Sequence, residues 1–261
     1  MNSQVHRVLI EGVEIYAEED GEGSPALVFL HYWGGSRRSW SQVIATLSNR
    51  FRCIAIDLRG WGRSGRNTDD FSLLAQANDV QGVIEALKLK DFVLVGHSLG
   101  GKVAQMVAGR RLPGLRSVIL VAPAPPTPLL APEEQKKTML TSYTTPDGIV
   151  GAIIAVTQRP LTIEQRLQMT EDSLGGAQGA KVAWLTQGMA LDISDQTALI
   201  NVPVCVIAGS EDRIEKEAAL RAAFLPLIPN AKFEIIEGVG HLPPLEGPEE
   251  VAKAISGFID G

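Results

Sequence analysis

A serine with glycines two positions away on either side, Gly96-His97-Ser98-Leu99-Gly100, is the pattern best suited to covalent chemistry in this 261-residue chain. The apolar run DFVLV at 91–95 predicts a strand before it, and 102–111 predicts a helix after it. A G-x-S-x-G string is common by chance, and this strand–turn–helix context is what makes it specific. At such a sharp bend the serine takes unfavourable backbone angles, and the small neighbours let strand and helix approach. The turn lifts the Ser98 hydroxyl clear of the sheet and aims the Leu99 N–H into the same space.

A serine hydroxyl is a weak nucleophile at neutral pH and needs a base that a third group orients. The chain has four histidines. His97 adjoins Ser98 on the turn and should point away from it, His31 ends a strand and should bond locally, and His6 lies in the N-terminal arm. His241 remains, in the loop Gly238-Val-Gly240-His241 past the last predicted strand, where it can reach the carboxyl ends of the strands. The partner acid should follow another strand end, and Gly209-Ser210-Glu211-Asp212 offers two carboxylates that both qualify chemically. An oxyanion formed at Ser98 needs two fixed donors. Leu99 N–H is one, and the loop His31-Tyr32-Trp33-Gly34-Gly35 offers Trp33 N–H as the other.

The elements that must position these groups read as an alternation. A hairpin turning at Glu11-Gly12 opens the chain, and short apolar runs follow at 26–30, 53–56, 92–95, 118–122, 202–208 and 233–236. Their continuity predicts strands buried on both faces, as in a parallel sheet. Helical stripes lie between them: Trp40, Val43, Ile44 and Leu47; Leu73, Ala77, Val80 and Ile84; Val103, Ala104, Val107 and Ala108; and Val251, Ile255 and Phe258. Strand and helix in turn predict a doubly wound α/β sheet. The proline-rich stretch after Pro123 interrupts the alternation, and amphipathic helices are expected at 133–142, 162–172 and 181–191 before the sheet resumes at 202. The expected division is a core of 1–123 and 201–261 with a helical cap of 124–200 over one end of the sheet.

Composition narrows the classes. Apolar residues make up 45% and charged residues 21%, as in ordinary globular chains. A net charge of −6, with no Lys/Arg block, gives no footprint for a nucleic-acid partner. No run approaches the length of a membrane span and no secretory leader is visible, so a cytoplasmic location is expected. Cys53 and Cys205 lie in predicted strands and read as core residues rather than a disulfide or metal pair. The cluster Asp57, Arg59, Arg63 and Ser64 reads as a hydrogen-bonded turn under the 31–36 loop; a phosphate cradle at Gly60-Trp-Gly62 would lack its lysine.

These motifs resemble the α/β-hydrolase superfamily, in particular its small esterases related to arylesterases, cofactor-free haloperoxidases or perhydrolases, and C–C bond hydrolases. The resemblance rests on His31-Tyr-Trp-Gly-Gly, Asp57-Leu-Arg-Gly-Trp-Gly-Arg-Ser64, the turn at Ser98, Gly209-Ser-Glu-Asp212 and Gly240-His241, and it spans nearly the whole chain outside the cap. It implies an α/β-hydrolase fold with a mostly parallel sheet, and a triad of nucleophile Ser98, acid Asp212 and base His241, with oxyanion amides at Trp33 and Leu99. Asp212 is thereby preferred to Glu211. Tyr32 departs from the family's usual glycine, and its side chain should narrow the site or shift the Trp33 amide. Serine at 98 argues against the dehalogenase and epoxide hydrolase branches, which carry aspartate there.

The resulting expectation is a serine esterase for small to medium carboxylic esters, working through an acyl-enzyme without metal or organic cofactor. C–C bond hydrolysis or acyl transfer to peroxide would use the same triad, and a non-catalytic binding module on this fold is the third reading. Substrate contacts are expected from Tyr32, Trp184 and Met189, with Leu185 and Leu191 as further candidates.

Overall fold

The computed structural model describes residues 3–261. Strands β1 (Gln4–Ile10), β2 (Val13–Asp20), β3 (Ala26–Leu30), β4 (Arg52–Ile56), β5 (Phe92–His97), β6 (Leu115–Val121), β7 (Val204–Gly209) and β8 (Lys232–Ile236) form one sheet in the order β1-β2-β4-β3-β5-β6-β7-β8. The β1–β2 and β2–β4 pairs are antiparallel and every other pair is parallel.

The continuous apolar runs are explained by burial on both faces. In β3, Val28 and Leu30 belong to the core on one face, while Leu27 and Phe29 belong to the core on the other. Helices α2 (Leu73–Ala86) and α3 (Leu99–Gly109) cover the first face; α1 (Ser41–Leu47) and α11 (Pro248–Asp260) cover the second. The Phe29 ring meets Trp40, just before α1, at 5.1 Å between centroids. The chain leaves β3 toward β4 on one side, while β5 pairs with β3 on the other. At that reversal the loops following two neighbouring strands diverge and leave a crevice above their carboxyl ends. The loops after β3 and β5 carry Trp33 and Ser98; the loops after β7 and β8, which carry Asp212 and His241, end at the same edge of the sheet.

Between β6 and β7 the described residues contain helices and no strand: α4 (Glu133–Ser142), α5 (Pro146–Val156), α6 (Ile163–Gly175), α7 (Gln178–Ala183) and α8 (Ser194–Ala198). The expected helices at 133–142 and 162–172 correspond to α4 and α6. The helix expected at 181–191 does not continue as such, because the backbone widens into a π-turn over Trp184–Gly188 and ends there. Helix α5 was not expected. It has the start signal of a helix, with Thr145 Oγ accepting from Gly148 N–H and Pro146 in the first turn, but its sequence PDGIVGAIIAV shows no polar stripe. Helix α8 packs on α3 rather than over the crevice, with Thr197 Oγ donating to Gln105 Oε1 at 3.2 Å.

Helices α9 (Glu217–Phe224) and α10 (Pro243–Glu246) complete the core. Cys53 and Cys205 are free and buried, and burial pushes both thiols up to about 12. Among the described residues no helix is long and apolar enough to cross a membrane.

Candidate active site

The turn between β5 and α3 holds Ser98 at φ 51° and ψ −114°, outside the comfortable region for a residue with a Cβ. The backbone holds it there: Ser98 N–H donates to Val121 O at 3.1 Å, and Ser98 O accepts from Ala124 N–H at 3.0 Å. A Cβ at Gly96 would stand 2.4 Å from Gly100 O, and one at Gly100 would stand 2.5 Å from His31 O. The two glycines are therefore required by strand–helix contact and by the approach of α3 to the β3 loop.

The structure brings Ser98, His241 and Asp212 together from three separate loops. Ser98 Oγ lies 3.1 Å from His241 Nε2, and His241 Nδ1 lies 2.8 Å from Asp212 Oδ2. With Nδ1–H donating to the carboxylate, Nε2 is free to accept the serine proton. The other oxygen, Asp212 Oδ1, accepts from Ile214 N–H at 2.7 Å and Glu215 N–H at 3.0 Å, so the acid cannot rotate without losing both bonds. Glu211, the alternative acid, is exposed.

Electrostatics bind the pair further. Burial opposes charge on both groups, but their mutual attraction and the loop amides outweigh it at Asp212, whose pKa lies below the usual carboxylate value. Burial likewise disfavours the imidazolium, yet Asp212, with the fields of Glu215 and Glu246, raises the His241 pKa above its ordinary value.

The His241 loop is itself suspended. Its N–H donates to Val156 O at the end of α5 at 2.8 Å. Its carbonyl accepts from His97 Nε2 at 2.8 Å. His97 therefore points away from the nucleophile, as expected, and beneath the base, which sequence reasoning did not foresee. Burial and the neighbouring His241 depress the His97 pKa to about 3, so this ring is neutral. Glu246 accepts four backbone N–H groups: Gln158 at 2.7 Å, Arg159 at 2.9 Å, Gly240 at 2.9 Å and Leu242 at 3.0 Å. This carboxylate joins the helical insertion to both sides of His241.

The 31–36 loop is held from below and above. Below, His31 Nε2 accepts from Leu58 N–H at 3.1 Å, and Asp57 accepts from the Arg37 and Arg63 amides at 2.8 Å each. Ser64 Oγ donates to Asp57 O, completing the expected turn. Arg59 does not join it; its guanidinium pairs with Asp79 at 2.6 and 2.7 Å within the core. Above, α6 supplies Asp172, accepting from Ser36 Oγ at 2.8 Å, and Ser173, whose Oγ donates to Gly34 O at 2.7 Å. Among the described residues Trp33 N–H has no hydrogen-bond partner. Leu99 opens α3, where leading N–H groups lack intrahelical acceptors.

Over Ser98 lies a cavity of about 310 Å³ that includes Tyr32, Trp33, Trp184, Met189 and His241 in its wall. The three pocket candidates, Tyr32, Trp184 and Met189, are thus all present. Leu185 instead packs in the core and Leu191 is 42% exposed, because the π-turn rotates the chain away from a regular helical face. Sequence reasoning missed Tyr143, whose ring packs 4.2 Å from Trp33, and Ile153 of α5. It also missed Glu215, three residues past the acid, whose only sequence signal is a carboxylate where the chain returns from the strand end. Among the described residues no group of three or more His, Cys, Asp or Glu side chains converges to hold a metal ion.

Residues 27–254 match the model of the alpha/beta hydrolase family, and the chain belongs to that family. It is 31% identical to a non-heme chloroperoxidase from Streptomyces lividans, over 88% of this chain and 90% of the relative. It is 28% identical to a bifunctional esterase/perhydrolase from Acinetobacter calcoaceticus, over 95% of this chain and 97% of the relative. Among solved structures it resembles a thermophilic esterase from Thermogutta terrifontis with a TM-score of 0.82 at 25% identity, covering 98% of each chain. These relationships support a hydrolase enzyme.

Proposed function

We propose that the chain is a serine hydrolase that cleaves small to medium carboxylic esters through an acyl-enzyme on Ser98. The observation that carries this reading is the unbroken chain from Ser98 Oγ to His241 Nε2 at 3.1 Å and from His241 Nδ1 to Asp212 Oδ2 at 2.8 Å, at the wall of a largely apolar cavity.

Ser98 Oγ attacks the ester carbonyl carbon as its proton passes to His241 Nε2. The carbonyl oxygen becomes an oxyanion, received by the Trp33 and Leu99 N–H groups. Fixed donors of this kind contribute on the order of 10²–10³-fold each. Collapse re-forms the carbonyl and breaks the bond to the alcohol, which leaves with the proton from His241. Water then gives a proton to His241 and attacks the acyl carbon; the second collapse returns that proton to Ser98 Oγ and releases the acid. Asp212 keeps Nδ1 protonated and balances the transient imidazolium throughout. Residues 124–200 serve as a cap that shapes the acyl and alcohol space.

The relatives named for perhydrolase and chloroperoxidase activity favour a second reading, in which hydrogen peroxide replaces water in the deacylation and a peracid leaves. Wild type and Ser98→Ala, incubated with para-nitrophenyl acetate and a fluorophosphonate, test the first reading. Turnover with covalent labelling at Ser98, both lost in the variant, is expected; absence of both in the wild type overturns it. Peracid formation on adding peroxide would bring in the second.

A further inference from the structure

We propose that Glu215 is a specificity-determining residue whose carboxyl group receives a hydrogen-bond-accepting oxygen carried by the substrate in addition to the scissile ester, an inference that rests on the proposed Ser98 chemistry. Four observations support it. Glu215 is only 5% exposed and forms part of the wall of the cavity that holds Ser98 and His241. Its backbone is fixed, since its N–H donates to Asp212 Oδ1 at 3.0 Å. Its carboxyl group has no hydrogen-bond partner among the described residues. The wall around it is otherwise mostly apolar, including Leu129, Ile153 and Met189.

Nothing in the proposed mechanism uses this carboxyl. Asp212 orients the imidazole, and Glu246 holds the loop. The carboxyl oxygens are not among the sealed, unpartnered polar atoms, so they open onto the cavity, where a leucine would serve a purely apolar ligand better. The missing partner is supplied by the ligand.

The kind of partner follows from the charge state. Burial pushes Glu215 up to about 7, so on the acid side of neutrality it is a neutral acid with an O–H to donate. The charged groups around it are Asp212 from its own loop, His241 from the loop after β8 and Lys102 from α3. Lys102 is itself buried, depressed to about 8, and reaches Thr127 O at 3.4 Å. A neutral acid here matches a ketone, a second ester or an amide carbonyl.

The test uses two isosteric pairs: para-nitrophenyl levulinate against para-nitrophenyl 4-methylpent-4-enoate, with the extra oxygen on the acyl side, and acetonyl butyrate against methallyl butyrate, with it on the leaving side. Ratios of kcat/KM within a pair cancel the titration of His241. At about pH 6 the wild type should favour the keto member of at least one pair by about tenfold, the worth of one hydrogen bond. That preference should shrink as pH rises through the Glu215 transition. Glu215→Gln should keep a preference and lose its pH dependence, since the amide donates at every pH. Glu215→Leu should abolish it. No preference in the wild type, or equal ratios in all three proteins, overturns the assignment while fluorophosphonate labelling of Ser98 stands. Loss of labelling in the wild type overturns the serine-hydrolase reading beneath it.

Discussion

The N–H of His241 donates to the carbonyl of Val156 at 2.8 Å, so the imidazole that touches Ser98 hangs from the C-terminal end of α5. The helical insertion thereby reaches the base itself as well as the substrate space. The residue before His241 has to be small for this bond to form: a Cβ at Gly240 would stand 2.6 Å from Val156 O and 3.0 Å from Gln158 N. Both contacts are backbone and neither can swing aside.

Gly240→Ala is therefore expected to displace the loop and lower kcat by about 10²-fold, the usual cost of misplacing a reacting group by about 1 Å. Steady-state kinetics should show the loss mainly in kcat, with the far-ultraviolet circular dichroism unchanged. Wild-type kcat in the variant would show that the loop relaxes without moving the imidazole.

Glu246 makes the same connection with a side chain. Its two oxygens accept from Gly240 and Leu242 on either side of the base and from Gln158 and Arg159 after α5. Glu246→Gln keeps the size but turns one acceptor into a donor facing N–H groups. Stability is expected to fall by about 1–3 kcal/mol, the range for a buried group left without its partner. Urea unfolding measures that loss, and kcat should fall with it. A variant as stable as the wild type would mean that solvent takes over the freed amides.

The division between what the sequence showed and what it hid follows from the range of the interactions. Ser98 and His241 were legible because strand ends and glycine turns are local signals, and Asp212 was separated from Glu211 only by the motif resemblance. The inner strands β3 to β7 read well because burial on both faces leaves long apolar runs, and the β1–β2 hairpin read from its Glu11-Gly12 turn. Helix α5 was hidden because its apolar residues show no periodic polar face, and the π-turn at Trp184–Gly188 because an extra residue in a turn leaves no compositional trace. Glu215 and Glu246 look like surface carboxylates in one dimension. Their roles come from groups 88 residues away in the chain, as between Gln158 and Glu246, or from a cavity built by several elements. Arg59 reads as part of the Asp57 turn because it is two residues away, yet it finds Asp79 on α2 instead.

Asp212 offers the sharpest separation of geometry from chemistry. Asn in its place can still bond Ile214, Glu215 and His241, but its amide stabilises the tautomer with the proton on Nε2, which cannot accept from Ser98. Asp212→Asn should lower kcat by about 10⁴-fold while substrate binding persists. Pre-steady-state acylation with a para-nitrophenyl ester would read the loss directly. A fall of less than tenfold would remove Asp212 from the proposed mechanism.

The base must be neutral to accept the serine proton, so activity is present above the His241 pKa and lost as pH falls through it. Asp212 and the nearby Glu215 and Glu246 fields place that pKa above the ordinary 6.5. The acid limb of kcat/KM should therefore have its midpoint above that value. Glu215→Gln removes the charge that Glu215 gains as it ionises near about 7 and should shift the limb toward lower pH. A pH–rate profile over the stable range checks both, and a limb well below 6.5 would contradict the electrostatic account.

His97 supplies an independent prediction about stability. Folded, it is buried, neutral and depressed to about 3; unfolded, it regains the ordinary value of 6.5. Between those two values the unfolded chain binds a proton that the native state refuses, so stability rises with pH across that window. Above 6.5 neither state binds it and the full contribution is present; as pH falls from 6.5 toward 3 the contribution is lost, at about 1.4 kcal/mol for each pH unit. His97→Asn removes the titrating ring. It should be less stable than the wild type near neutrality, because the bond to His241 O is disturbed, but its stability should fall less steeply on acidification. Urea unfolding of both proteins at about pH 7 and about pH 5 measures the difference in slope, in which the carboxylate contributions common to both cancel. Parallel slopes would mean that His97 is accessible enough to take up its proton in the folded state, and that the His241 loop is less firmly closed over it than its hydrogen bonds imply.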